Sequence, residues 1–276
     1  MTVNDSNPLR RQVLKGALLA PLAAAATARA QAAGVAIDAR WELYLLVDQS
    51  SGANRDLAAQ MLAMAVQNAG GSMLAGSVVE TGSISRDGEY SIISTSTGTG
   101  LLASVWKGRL VREARGSVIG GKLVTARYAE TRGDRAPMIA TADRAAHSIR
   151  FDRSGRESTV QQMPEDPTDL ASLPWMFAGR KLPTAPFTAD YTNGERLYRA
   201  NFDVASDKVE SSAGTIDAVR VTSRRNQPDD PRVDLWLRRA DGVPVRVRID
   251  LDVRYGAIIE QRRVGTIATV AFGAAR

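Results

Sequence analysis

Few residues in this chain could perform chemistry, and each can be weighed singly. His147 is the only histidine. A histidine-based triad would have to use it, and no Gly-x-Ser-x-Gly elbow accompanies it. One histidine also excludes a multi-histidine metal centre. At the head of a predicted strand in Ala145-Ala-His-Ser148, an exposed or hydrogen-bonded imidazole is the simpler expectation than a catalytic one. The chain has no cysteine, which removes disulfides, thiolate catalysis, zinc–cysteine sites and a lipidated N-terminal cysteine. Glu165-Asp166-x-x-Asp169 offers carboxylates to calcium. It lacks the glycine and alternating spacing of an EF-hand loop, so a solvated loop with a helix cap is favoured. Ser172 and Lys181 are spaced wrongly to share a helical face, and Thr97-Gly-Thr-Gly100 lacks the lysine and pattern of a phosphate loop. Glycoside cleavage needs only two carboxylates. With 30 acidic residues, the sequence singles out no pair. No catalytic residue, cofactor or metal is therefore predicted.

What remains is apolar and cationic. Trp106, Trp175, Phe177 and Trp236 are spread along the chain, and Arg246 and Arg248 flank the apolar positions of a strand. In a curved sheet with a greasy interior, Trp175 and Phe177 would close the mouth and the arginines would meet an anionic head group. The plainer account puts the aromatics in the core and the arginines in solvent. Both readings stand at this point.

The elements that would position these residues are mostly strands. Val233, Leu235 and Leu237 alternate with Asp234, Trp236 and Arg238, and Val245, Val247, Ile249 and Leu251 alternate with Arg246, Arg248 and Asp250. Period-two alternation predicts one apolar and one wet face. Asp241-Gly242 supplies the turn, and Pro244 sits where a strand begins. Similar runs occur at Trp41–Val47, Val78–Ser85, Tyr90–Thr97, Leu101–Trp106, Arg109–Gly116, Lys122–Thr131, Ser148–Asp152, Arg156–Gln162, Glu195–Val204, Thr215–Arg224 and Ala257–Val264. The fold class expected is mainly β: an antiparallel meander forming a barrel or a strongly curved half-barrel. Two segments break the pattern. Asn54–Asn68 is a predicted helix whose Leu57, Met61, Met64 and Ala65 stripe faces the sheet. Met163–Phe177 is polar and proline-rich, then apolar. Thr168 caps a short helix there, making a plug of Leu170, Leu173, Trp175, Met176 and Phe177. Gly179–Thr192, with Pro183 and Pro186, reads as a loop.

Of the net charge of +6, three belong to residues 1–30, where Arg10, Arg11, Lys15 and Arg29 face only Asp5. The remainder is too weakly basic, and its charges too interleaved, for a nucleic-acid partner. Leu9-Arg-Arg-Gln-Val-Leu-Lys15 resembles the twin-arginine export motif. Gly16–Ala28 is too short and weakly apolar for a membrane span, and Ala28-Arg29-Ala30 fits a cleavage site. An ordinary secretory signal with an incidental arginine pair is the alternative. Either route leads to the periplasm, with cleavage near Ala30. The organisation expected is a signal at 1–30, a strand and helix at 31–73, and a β domain at 74–270.

Leu74-Ala-Gly-Ser-Val-Val-Glu80 with Arg86-Asp-Gly-Glu-Tyr90, Asp169-Leu-Ala-Ser172, Leu235-Trp-Leu237, Val243-Pro-Val-Arg246 and Tyr255-Gly256 together resemble the DUF3108 family of exported bacterial proteins of unknown function. The likeness spans roughly residues 74–264. It implies a β-rich periplasmic fold similar to the open barrels of lipoprotein carriers, and it supplies no catalytic residues. Three functions follow as expectations. The first is non-covalent binding or chaperoning of an amphipathic, lipid-like envelope component. The second is a structural role with an envelope protein partner, through a sheet edge or the proline-rich segment. The third is a carbohydrate-active enzyme using two acids.

Overall fold

In the computed structural model, residues 34–47, 57–86, 88–100, 103, 108–163, 165–211, 214–227, 230–252 and 257–265 are described. The export motif and Trp106 lie outside them. The first strand shows how the sequence makes the fold. In β1 (Gly34–Val47), Val35, Ile37, Ala39, Trp41, Leu43 and Leu45 are buried while Ala36, Asp38 and Arg40 between them are exposed. A strand presents alternate residues to opposite faces, so this pattern fixes one concave, apolar side.

Among the described residues, fifteen strands form one sheet. From β1 the chain meanders outward through β2 (Ser72–Ser85), β3 (Glu89–Gly98), β4 (Arg109–Ile119), β5 (Lys122–Arg132), β6 (Met138–Asp143), β7 (Ser148–Arg153) and β8 (Thr159–Gln162). It crosses to β9 (Thr168–Asp169) and meanders back through β10 (Phe187–Thr192), β11 (Leu197–Ser211), β12 (Gly214–Arg224), β13 (Arg232–Arg238) and β14 (Pro244–Asp252). The last strand, β15 (Ala257–Arg263), pairs with β1 in mid-sheet. Every pair is antiparallel except β9–β10. The two outermost strands, β8 and β9, are joined by a link that can span at most roughly 20 Å. The sheet must therefore curl until its edges approach.

Across the resulting seam Thr125 donates its N–H to the Pro167 carbonyl (2.8 Å). Leu197 donates to Gln161 Oε1 (3.0 Å), and Arg153 pairs with Glu195. Among the described residues no strand ladder closes the seam, so the sheet is barrel-like but open.

Four sequence expectations need correction. The segment read as a loop at Gly179–Thr192 contains β10. Pro183 and Pro186 precede the strand rather than interrupt it, and Pro186 lies just before its first residue. No cap at Thr168 starts a helix: its hydroxyl bonds the Ser172 hydroxyl (2.9 Å), and residues 168–169 pair with β10 instead. Among the described residues of the plug the one helical turn is the 3-10 turn Leu173–Trp175. The helix α1 (Leu57–Asn68) turns Ala63 and Val66 inward while Met61 and Met64 are 59% and 57% exposed. It packs mainly against β1 and β2. Finally, β13 has no wet face. Asp234 and Trp236 are buried along with Val233, Leu235 and Leu237, because Val209 of β11 and the guanidiniums of Arg220, Arg246 and Arg248 cover its convex side.

No helix among the described residues is long and apolar enough to cross a membrane.

Candidate functional site

The concave side is filled by the plug. Leu170, Ala171, Leu173, Trp175 and Ala178 join the inward residues of β1 to β5 and β10 to β15 in one core cluster. Two buried carboxylates anchor it. Asp169 Oδ2 accepts from Thr125 Oγ1 (2.7 Å), Ser172 Oγ (2.8 Å) and Tyr90 OH (3.2 Å), while its Oδ1 accepts the N–H groups of Ala171 and Ser172 (2.9 Å each). Gly116 makes this possible, since a side chain there would overlap the Tyr90 ring and the Val124 carbonyl. Glu80 Oε2 accepts both indole N–H groups, from Trp41 (3.0 Å) and Trp175 (3.1 Å). Burial pushes both carboxyls above their ordinary range, partly offset by these hydrogen bonds. Beside them Arg112 Nε donates to Glu130 (2.8 Å), which also accepts from Tyr128 and Arg132. Burial alone would raise Glu130, but the charges of Arg112 and Arg132 hold it below its usual value.

Trp175 is thus a hydrogen-bonded core residue. Phe177 is half-buried with its ring edge-on to Phe187 (5.7 Å), which stacks on Phe202 (5.1 Å). The acidic run diverges: Asp166 pairs with Arg144, Glu165 with Arg199, and Asp169 with the hydroxyls named above. His147 is exposed in the turn between β6 and β7, at φ 47°.

Trp236, Arg246 and Arg248 do come together, on the convex face. The guanidiniums of Arg220, Arg246 and Arg248 lie 4.9, 5.4 and 5.4 Å from the Trp236 ring, whose indole N–H donates to Asp207 (2.7 Å). The residues that bring them together are local. Strand alternation places Trp236 opposite Arg246, and a register shift after Trp236 turns Val245 out of the concave core. Val245 instead packs with Val209, Ala218 and Trp236 in a second hydrophobic cluster, with Ile216 at its edge. Val209 and Ile216, from β11 and β12, thereby lie against Trp236 and Val245 of the neighbouring strands.

Here the arginines outnumber their partners. Arg246 and Arg262 are directly opposite across β14 and β15, a like-charge pairing that is unfavourable unless neutralised. Glu260, buried beside them, accepts from Arg248 (Nε 3.0 Å, Nη2 2.5 Å) and from Arg262 (2.7 Å). Burial alone would raise this carboxyl, but those two bonds keep it low. Arg246 is held least closely. Its Nε forms an ion pair with Glu260 at 4.0 Å, beyond hydrogen-bond reach, and has no hydrogen-bond partner. Burial pulls the Arg246 guanidinium below its ordinary pKa, with Glu260 partly compensating.

Arg246 and Arg262 border a groove of about 370 Å³ whose apolar side is Val209, Ile216 and Val245. Glu42 and Glu210 stand on its rim, each already accepting from a hydroxyl, of Tyr44 (2.8 Å) and Thr215 (2.9 Å) respectively. Sequence reasoning placed Arg246, Arg248 and Trp236 in a binding role but missed Arg262 and Val209, which reach the groove only through β15 pairing and the packing of Val209 against Trp236 and Val245.

An open, curved antiparallel sheet around a packed interior defines the class of protein. The family is also established: the model of DUF3108, "Protein of unknown function", matches residues 65–261, and the chain belongs to that family. Among solved structures it is similar to a beta-barrel-like protein of the domain of unknown function DUF1849 from Brucella abortus. The two are 10% identical, with 83% of this chain and 96% of that one covered and a TM-score of 0.47. No curated protein matches the sequence.

Proposed function

We propose that this chain is a non-enzymatic periplasmic protein that binds a singly charged amphipathic anion of the cell envelope in the convex groove. The observation that carries this is Arg246, a partly buried guanidinium whose Nε lacks a hydrogen-bond partner, at the head of a groove floored by aliphatic side chains. An unpaired polar group removed from water costs free energy until a partner arrives. A carboxylate or similar head group would complete the set, pairing with Arg246 and Arg262 while its chain lies along Val209, Ile216 and Val245. The rim carboxylates Glu42 and Glu210 disfavour a second negative charge. The export signal read in residues 1–30 supports the envelope setting. The packed concave side favours this outer groove over an internal cavity as the place of binding.

The test is titration of the protein with dodecanoate below its critical micelle concentration, followed by calorimetry and by the emission of Trp236. Saturable binding is expected, weakened at least about tenfold in Arg246→Gln, as loss of one charge-assisted hydrogen bond implies. Absence of saturable binding, or equal affinity in the variant, would overturn the reading.

A further inference from the structure

The convex groove contains two opposite charges that the sheet sets facing one another and the side chains keep apart. Glu42 of β1 lies directly opposite Arg262 of β15, and Arg262 lies directly opposite Arg246 of β14. All three line the groove, together with Arg263 and Glu210. Opposite charges at facing positions of an antiparallel ladder attract and stabilise the pairing. Among the described residues, however, Glu42 and Arg262 form no ion pair with each other. Arg262 Nε turns along its own strand to Glu260 (2.7 Å), and Glu42 Oε2 accepts the Tyr44 hydroxyl (2.8 Å). Arg263 is engaged elsewhere. Its Nη2 donates to the Asp38 carbonyl (3.1 Å), and its guanidinium lies 5.1 Å from the centre of the Trp41 ring.

Tyr44 separates the two charges. It stands two positions after Glu42 on β1, so strand alternation puts both side chains on the convex face. Its ring and its hydroxyl act on opposite partners. The Arg262 guanidinium lies over the ring, 3.9 Å from its centre, a cation–π contact. Because Tyr44 faces Glu260 across the ladder, the ring draws Arg262 toward Glu260 and away from Glu42. The hydroxyl meanwhile donates to Glu42. That bond, with burial adding to it, pushes the Tyr44 phenol above its ordinary pKa. Glu42 is half-buried, so a carboxylate deprived of this donor has to find another. The cation facing it is Arg262.

We infer that Tyr44 is a positioning residue of the convex groove, its hydroxyl occupying Glu42 so that Arg246 and Arg262 stay open to an anionic head group; the role rests on the amphiphile binding proposed above. A carboxylate from the chain and a carboxylate from a ligand compete for the same guanidinium. Tyr44 removes the internal competitor without touching the ligand.

The experiment is a double-mutant cycle on the full chain, read by calorimetric titration with dodecanoate below its critical micelle concentration. The four proteins are wild type, Tyr44→Phe, Glu42→Gln and the two substitutions combined. Tyr44→Phe keeps a ring under Arg262 and deletes only the hydroxyl, while Glu42→Gln keeps the side chain's shape and deletes its charge. Both positions are half-buried, and thermal unfolding of each variant is recorded alongside. Tyr44→Phe should weaken binding about two- to fivefold, the strength of one cross-strand charge pair between the freed Glu42 and Arg262. In the Glu42→Gln background the same substitution should leave the affinity unchanged, because no carboxylate remains to compete. A tyrosine needed only for packing would weaken binding in both backgrounds alike. Undiminished affinity in Tyr44→Phe, or equal weakening in both backgrounds, would overturn the positioning role and leave the binding site itself standing. Absence of saturable binding by wild type would overturn the binding site, and the role of Tyr44 with it.

Discussion

Asp169 holds the plug in the sheet, so its replacement measures what that anchorage contributes. In Asp169→Ala the three hydroxyls of Tyr90, Thr125 and Ser172 keep secondary partners, because Tyr90 lies 3.1 Å from Thr125 and Ser172 lies 2.9 Å from Thr168. The N–H groups of Ala171 and Ser172 lose the acceptor that Oδ1 supplies, in a region closed to water. Each orphaned buried donor costs about 1–3 kcal/mol. Removing a desolvated carboxylate returns part of that, and loosened packing of Leu173 and Trp175 adds to it. The net expectation is a loss of about 3–5 kcal/mol. Asp169→Asn keeps an oxygen for both N–H groups, and its amide can donate to the hydroxyls once they rotate, so the loss should stay under about 1.5 kcal/mol. Urea unfolding followed by tryptophan emission reads both variants, since Trp175 sits in the plug. If Asp169→Ala unfolds within about 1 kcal/mol of wild type, or if the asparagine variant is the less stable of the two, the plug is not held as described.

Two further outcomes follow from the same interior. Gly242→Ala should cost at least about 2 kcal/mol, because it combines a left-handed backbone with displacement of the Phe177 carbonyl; thermal unfolding reads it. Buried carboxyls should leave opposite marks on the pH profile of stability. Glu80 titrates above its ordinary 4.5 when folded, so its contribution is largest below 4.5 and declines as pH rises through the elevated value. Glu130 titrates below 4.5, so its contribution is present above 4.5 and is lost as pH falls through the depressed value. Unfolding free energies measured from pH 3 to 8 should therefore show Glu80→Gln abolishing a decline on the less acidic side, and Glu130→Gln removing part of the acid-side loss. The second variant should also cost about 3–5 kcal/mol at pH 7, since Arg112 is left buried without its partner. A profile unchanged in shape by either substitution would contradict these assignments.

Strand alternation made much of this fold readable. The β13–β14 hairpin, the turn at Asp241-Gly242 and the start at Pro244 all follow from a period of two and from turn chemistry. What escaped was set by partners distant in sequence. Asp169 looked like a loop acid or cation ligand because Thr125 and Tyr90, which define its role, sit on β5 and β3. Trp236 reads as a solvent-side residue until Val209 of the β11–β12 hairpin packs on it. The stripe of Met61 and Met64 satisfies helical periodicity, yet Ala63 and Val66 face inward, because packing on β1 and β2 rather than the helix's own pattern sets which side is covered. At the convex site, Arg246 and Arg248 were visible as cations on a strand. Their shortage of counter-charge was not, because it depends on how three guanidiniums divide one glutamate.

The ladder between β1 and β15 also has a consequence in time. Trp41 meets Arg263, so β1 and β15, each already paired on its other side with β2 or β14, gain each other only when distant parts of the sequence meet. The hairpins of each meander can form early, as each joins consecutive segments. The central ladder joins the two halves and closes the longest loop in the molecule, a step that long-range pairing makes slow. Until then, β1 presents a raw edge, with backbone donors and acceptors ready for any other strand. The newly made chain is therefore most exposed to mispairing at what becomes the middle of the finished sheet. Two fragments divided between β8 and β9 would have to find each other through that same pairing.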